Sequence, residues 1–315
     1  MRKQYLLLCA FLLLNTPGFA LKADPETKIL LIDAQTVSGA TEVEGADNQQ
    51  GADGYQVIIT NSTVQDNLSP LHNSQVLGGG TVYGTANDNK IEITDSTVNR
   101  NIVAGQSTFG TQANNNVVTI NNSKLNEGAP LSELTTLSNY QVEHRYDDQG
   151  QEVYTLASMA GDTVQTAGEL TPEFAQYTVY GGTVANGEAS GNQIIVTNSN
   201  GTIGNNLIGG YSPYLAETHL HDNSVQVTNS QVSGLIVGAT SLGMNWENSI
   251  TDPLINNNNS ILISGSQIND AIGAYGGLST NGNSIVLNDS VADNLYGVSF
   301  GQNIFYMGGQ PATIE

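Results

Sequence analysis

The sequence predicts an all-β protein folded as a right-handed parallel β-helix, or solenoid, and three observations predict it. One eight-residue texture, branched aliphatics alternating with polar residues into Asn-Ser or Asp-Ser, returns seven times along the chain with small variations. A second texture, an aliphatic or tyrosine running into glycine, usually follows it. The copies begin 24 to 36 residues apart, save one gap of 76, a period that suits one coil per copy.

At the amino terminus, Arg2 and Lys3 precede an apolar run over residues 5–14, then Pro17 and the small-residue site Gly18-Phe19-Ala20. That order reads as a secretory signal peptide over residues 1–20, cleaved after Ala20. The run is about ten residues, roughly half of what a spanning helix needs. Cys9, the single cysteine, lies inside it. The mature chain is therefore expected to be cysteine-free, without disulfides or thiolate metal sites.

Residues 21–127 are expected to form the first coils. Val57-Ile58-Ile59-Thr60-Asn61-Ser62-Thr63-Val64 and Ile91-Glu92-Ile93-Thr94-Asp95-Ser96-Thr97-Val98 show the texture in full. Period-2 alternation is that of a strand with one buried face. Asn and Asp tolerate left-handed backbone and bond their own main chain, so the strand should bend at the Asn-Ser pair. Stacked about 4.8 Å apart, the windows would place Val57, Ile91, Val118, Ile194, Val225, Ile261 and Ile285 in one buried column. Asn61, Asp95, Asn122, Asn198, Asn229 and Asp289 would form a polar ladder, with Ser62, Ser96, Ser123, Ser199, Ser230, Ser266 and Ser290 beside it. Both ladders read as structural. Two residues ahead of six windows stands an asparagine, at positions 89, 116, 192, 223, 259 and 283, with Tyr55 in its place in the first.

The gap of 76 holds the one departure, residues 128–176, read as an excursion from the coil. Within it, Tyr140-Gln141-Val142-Glu143-His144-Arg145-Tyr146 and Glu152-Val153-Tyr154-Thr155-Leu156 flank Asp147-Asp148-Gln149-Gly150, a hairpin signal. Excursions from a regular scaffold tend to carry binding residues, so Tyr140 and Tyr146 are candidate contacts. Coils resume over residues 177–315, with glycine corners such as Val179-Tyr180-Gly181-Gly182, Leu207-Ile208-Gly209-Gly210 and Ala274-Tyr275-Gly276-Gly277.

Function classes narrow by charge and chemistry. Acidic residues outnumber basic ones 29 to 8, for a net charge of -21, and no lysine or arginine follows Arg145. Nucleic acid is therefore not expected as a partner. Tyr180, Tyr211, Tyr275 and Tyr296 recur beside the glycine arms, where flat rings amid Asn and Ser suit sugars, or alternatively stack on one another. Hydrolysis of a glycoside needs two carboxylates across one bond, and Asp95 and Asp289 belong to distant coils. Glu217-Thr218-His219-Leu220-His221-Asp222 places two imidazoles on one side of a strand, a local metal hint. The acidic turn at residues 47–54 matches no calcium-loop spacing. The expectation is no enzyme, no catalytic residue, no metal and no cofactor, with a β-helix polysaccharide lyase or hydrolase as the alternative.

Taken together, the Asn-x-aliphatic-x-aliphatic-x-Asn-Ser strand and the aliphatic-Tyr-Gly-Gly arm resemble the passenger region of bacterial autotransporters, over most of residues 55–310. The resemblance implies an exported solenoid at the cell surface or in the extracellular medium, contacting cell-surface glycans or proteins, biofilm matrix, or other solenoids by self-association. The sequence departs from that family after Gly297, where no succession of amphipathic strands follows and the last residues are Thr313-Ile314-Glu315. Contact with the outer membrane is accordingly expected only through a barrel absent from these residues. A periplasmic remnant without a surface role is the alternative.

Overall fold

The structure, a computed structural model, describes residues 20–38, 42–65, 75–125, 140–146, 152–158, 165–169, 177–185, 187–199, 203–212, 218–241, 255–275 and 280–299. Apart from residues 140–146, 152–158 and 165–169, which form a separate antiparallel sheet, they form a right-handed parallel β-helix built from four parallel sheets. The expected signal peptide, apart from Ala20, lies outside the described residues.

One sheet has eight strands, one from each coil: β2 (Ile29–Asp33), β5 (Gln56–Thr60), β8 (Lys90–Thr94), β11 (Val117–Asn121), β18 (Gln193–Thr197), β21 (Ser224–Thr228), β25 (Ser260–Ser264) and β27 (Ser284–Asn288). A second, ten-stranded sheet holds the glycine arms. Its members are β1 (Ala20–Lys22), β4 (Glu42–Asn48), β7 (Gln75–Thr81), β10 (Asn101–Ser107), β16 (Thr178–Val184), β19 (Asn206–Ser212), β23 (Ile236–Ser241) and β26 (Gln267–Tyr275). Both β22 (Gln231–Val232) and β28 (Val291–Ser299) pair with β26. Short strands β3 (Thr36–Val37), β6 (Thr63–Gln65), β9 (Thr97–Asn99) and β12 (Lys124–Leu125) make the third sheet. The fourth is β17 (Gly187–Ser190), β20 (Thr218–His221) and β24 (Ile255–Asn257).

All seven windows stack in the expected register, and Val57, Ile91, Val118, Ile194, Val225, Ile261 and Ile285 fill one buried column. Aliphatics two positions on, from Ile59 to Ile263, fill a second. Each such side chain contributes about 1.5–3 kcal/mol by leaving water. The structure adds a coil that the texture did not reveal: β2 precedes the first window, with Leu30 paired to Val57 and Ile32 to Ile59. Its corner reads Ala34-Gln35 where the others read Asn-Ser, Asp-Ser or Gly-Ser, so the marker is missing while the period-2 core is intact.

Every coil bends at that corner through left-handed backbone. Values of φ are 50° at Asn61, 52° at Asp95, 46° at Asn122, 52° at Asn198, 48° at Asn229, 57° at Gly265 and 48° at Asp289. These are the residue types that bear the conformation at least cost. Ala34, at 52°, is the exception. A second left-handed corner stands just before the strand, at Lys28, Gly54, Asp88, Asn115, Gly191, Asp222, Asn258 and Gly282. Two sharp corners thus bracket each strand of the first sheet, which runs five residues in every coil.

The excursion leaves the coil without interrupting it. Strand β11 pairs directly with β18, Val117 opposite Gln193 through Asn121 opposite Thr197. The insertion falls at the corner between the third sheet and the second, where Leu125 precedes it and Thr178 follows. Inside it, β13 (Tyr140–Tyr146) and β14 (Glu152–Ser158) pair antiparallel, as the hairpin signal predicts, and β15 (Gln165–Glu169) adds a third strand against β14. The predicted turn at residues 147–150 lies outside the described residues.

Candidate functional site

The repeated polar residues hold the coils to one another. Asn89, Asn116, Asn192, Asn223 and Asn259 are buried in the interior, each at 1% exposure or less. In each step, one Oδ1 accepts both the backbone N–H and the side-chain amide of the preceding asparagine. Asn116 accepts from Asn89 at 3.0 and 3.1 Å, Asn192 from Asn116 at 3.0 and 3.0 Å, and Asn223 from Asn192 at 3.1 and 2.9 Å. Asn259 and Asn283 continue the ladder. Tyr55, in the place of the first asparagine, donates its N–H to Asn89 Oδ1 at 2.8 Å and ends it. Lys28 closes that end, its Nζ 5.1 Å from the centre of the Tyr55 ring.

Space for the amides comes from the glycine arms. A Cβ at Gly105 would lie 2.3 Å from Asn116 Nδ2, and one at Gly182 would lie 2.5 Å from Asn192 Nδ2. The glycine texture is therefore the packing complement of the asparagine ladder.

A serine ladder runs parallel to it. Ser96, Ser123, Ser199, Ser230, Ser266 and Ser290 each accept, at Oγ, the backbone N–H of the serine one coil earlier, at 3.0 to 3.2 Å. Each hydroxyl in turn donates to the carbonyl two residues before it, as Ser96 does to Thr94 at 2.7 Å. The ladder expected at Asn61, Asp95 and their equivalents differs from that expectation. Those side chains are exposed and bond only in places, as Asn122 to Asp95 and Asn198 to Asn121. The uninterrupted amide ladder lies at the asparagines ahead of the strands.

The tyrosines beside the glycine arms fall in two rows of the second sheet. Tyr180, Ile208, Val237, Ile272 and Tyr296 share one register row, and Tyr211, Thr240 and Tyr275 share the row three residues on. Val179, Leu207 and Ile236 belong to the main core, so by strand alternation the Tyr180 row faces away from it. Ile208, Val237 and Ile272 are buried in that second cluster, with Tyr180, Tyr211 and Tyr296 packed against it. The Tyr180 and Tyr211 rings lie 5.0 Å apart, tilted by 40°. Burial pushes the Tyr180 phenol above its ordinary range. Tyr140 and Tyr146 end β13, and their side chains, with that of Tyr275, lie outside the described residues.

His219 and His221 point to one side of β20, alternating with buried Thr218 and Leu220. His221 stands between two carboxylates, Nδ1 at 2.7 Å from Asp222 and Nε2 at 3.4 Å from Glu188. Ser190 donates to Glu188 at 2.6 Å, so the hydroxyl engages the acid. Among the described residues no group of three or more His, Cys, Asp or Glu side chains is placed to hold a metal ion. In the acidic turn, Asp53 accepts from Asn87 N–H and the Thr85 hydroxyl of the next coil, which uses both oxygens. Asp95 and Asp289 follow β8 and β27, with β11, β18, β21 and β25 between those strands.

Tyr83 and Phe109 were not singled out by the sequence reading. They are exposed at 68% and 62%, with ring centroids 6.2 Å apart and planes 27° from parallel. Their signal is a residue-glycine pair after each arm, Gln50-Gly51, Tyr83-Gly84 and Phe109-Gly110.

Compared with known proteins, the chain matches no family model, no curated protein and no solved structure. On its own geometry it is a right-handed parallel β-solenoid.

Proposed function

We propose that the chain is an exported structural and adhesive solenoid without enzymatic activity, a passenger-like rod that contacts cell surfaces or matrix. The observation that carries this reading is the fate of the repeated polar side chains. The serines of all seven windows and the asparagines ahead of six of them are bonded coil to coil, so the sequence repetition maintains a rigid rod roughly 35 Å long along the described coils. Such a rod offers long lateral faces whose chemistry varies from coil to coil, which suits contact and spacing. The sequence resemblance to autotransporter passengers and the signal-peptide pattern support export.

Three measurements test it. Beads coated with the purified chain should be retained on epithelial monolayers or biofilm above beads carrying an inert acidic protein, and equal retention overturns adhesion. Protease added to intact producing cells should cleave the chain, and its survival would favour the periplasmic alternative. Release of reducing or unsaturated ends from polysaccharide by the purified chain would replace the reading with an enzymatic one.

A further inference from the structure

Tyr83 and Phe109 expose most of their rings, although the inward-facing aliphatics of the same coils are buried almost completely. Tyr83 N–H donates to the Gln49 carbonyl at 3.2 Å and Phe109 N–H to the Val82 carbonyl at 2.7 Å. Those bonds set Gln50, Tyr83 and Phe109 on three successive rungs of one corner. Their backbone is held tightly. Gly84 N–H donates to the Thr81 hydroxyl at 3.0 Å, and the Ser107 hydroxyl to the Gly84 carbonyl at 2.9 Å. A Cβ at Gly110 would lie 1.9 Å from that carbonyl, so the two turns are in direct contact. The rings therefore sit on a rigid support in a fixed, near-parallel arrangement, which lowers the cost of ordering a binding site.

We infer that Tyr83 and Phe109 form a stacking platform for a neutral saccharide, with the Tyr83 hydroxyl and the exposed Gln50 amide beside it as hydrogen-bonding groups. Three considerations select that occupant. Pyranose rings carry one apolar face that stacks on an aromatic ring and hydroxyls at the rim that need donors and acceptors, both of which the corner offers. Two rings bury at most about 300–500 Å², well short of the ~1,000 Å² that a protein partner or second copy requires. The net charge of -21 opposes an anionic ligand. The site rests on the adhesive reading for its biological role, while its ligand chemistry stands on the corner itself.

Binding of the tetramer of N-acetylglucosamine and of cellotetraose to the purified full chain, followed by saturation-transfer NMR and calorimetry, tests it. A neutral tetrasaccharide should bind, and Tyr83→Ala and Phe109→Ala should each weaken binding about tenfold. Because both rings are exposed, the variants should keep the wild-type circular dichroism and melting temperature, and Tyr83→Phe, which keeps the ring and loses only the hydroxyl, should weaken binding less than Tyr83→Ala. Absence of binding by both tetramers overturns the platform. So does wild-type affinity in the double alanine variant, or tighter binding of a heparin tetrasaccharide. Sedimentation that shows a dimer in the wild type and a monomer in the double variant would make a second copy the occupant. Loss of the sugar result with bead retention intact overturns this site alone, whereas bead retention equal to the control overturns the adhesive reading.

Discussion

Asn192 Oδ1 accepts both the backbone N–H and the side-chain amide of Asn116, each at 3.0 Å, across 76 residues of sequence. That one oxygen joins the coil before the excursion to the coil after it. Its own Nδ2 passes the ladder on to Asn223 at 2.9 Å. Three buried polar groups thus depend on one side chain, where water cannot replace a lost partner.

Asn192→Ala is expected to lower the unfolding free energy by about 2–4 kcal/mol, because it orphans the Asn116 N–H in the interior. Asn121→Ala removes a hydrogen bond from the Thr197 hydroxyl at the part-buried rim. It should cost under about 1 kcal/mol. Urea unfolding of both variants checks the contrast, and equal losses would mean that burial does not set the ladder's worth.

The direct pairing of β11 with β18 makes the excursion dispensable for winding. At the same corner of the preceding coil, Val98 and Asn101 are joined by residues 99 and 100 alone. Replacing residues 126–176 by a single asparagine, so that Leu125-Asn-Tyr177 forms the corner, should retain the β-sheet circular dichroism and one cooperative unfolding transition. A chain that becomes unfolded or aggregates would show that the excursion is part of the solenoid's folding unit.

How much of this was legible follows from what each residue does locally. Val57 and Ile91 announce a buried face by alternation with polar neighbours, so the columns and their register could be read directly. Ala34-Gln35 hides a coil because a corner is recognised by residues that favour it, and alanine does not. Asn116 and Asn192 were visible as recurrent residues, yet a polar residue at a strand entrance reads as a turn. Only the glycines opposite, Gly105 and Gly182, make room for those amides inside, and that pairing is formed in three dimensions. Tyr83 and Phe109 were missed because, at the corner that follows the glycine arm, an aromatic before glycine occurs in just two of the described coils, too few to register as a repeat.

Ala34 carries a strain that its equivalents in the other coils avoid. Its φ of 52° places an alanine Cβ where left-handed backbone costs an L-residue about 1–2 kcal/mol. Ala34→Asn, the residue that Asn61, Asn122, Asn198 and Asn229 use at the equivalent point, should stabilise the chain by about 1 kcal/mol. Ala34→Val, branched at Cβ, should destabilise it. A raised melting temperature in the first variant and a lowered one in the second are the expected pair, and the reverse order would contradict the strain argument.

Beside that corner, Asp33 links acid stability to the first coil. The Thr60 hydroxyl at 2.7 Å, and then the Asn61 amide at 3.4 Å, donate to its carboxylate and hold it below the usual carboxylate range. A folded value below the unfolded one means that the unfolded chain takes up the proton first as the pH falls. The stabilisation is therefore fully present above the unfolded value, about 3.9, and is lost as the pH falls through the folded value. Asp33→Ala should lower the melting temperature at pH 7 and by a smaller margin near pH 2, where the unfolded chain's carboxyl is protonated and the linkage has been drawn down. Thermal unfolding at the two pH values checks this, and a margin that stays constant or grows in acid would show that the ionised carboxylate is not what Thr60 and Asn61 stabilise.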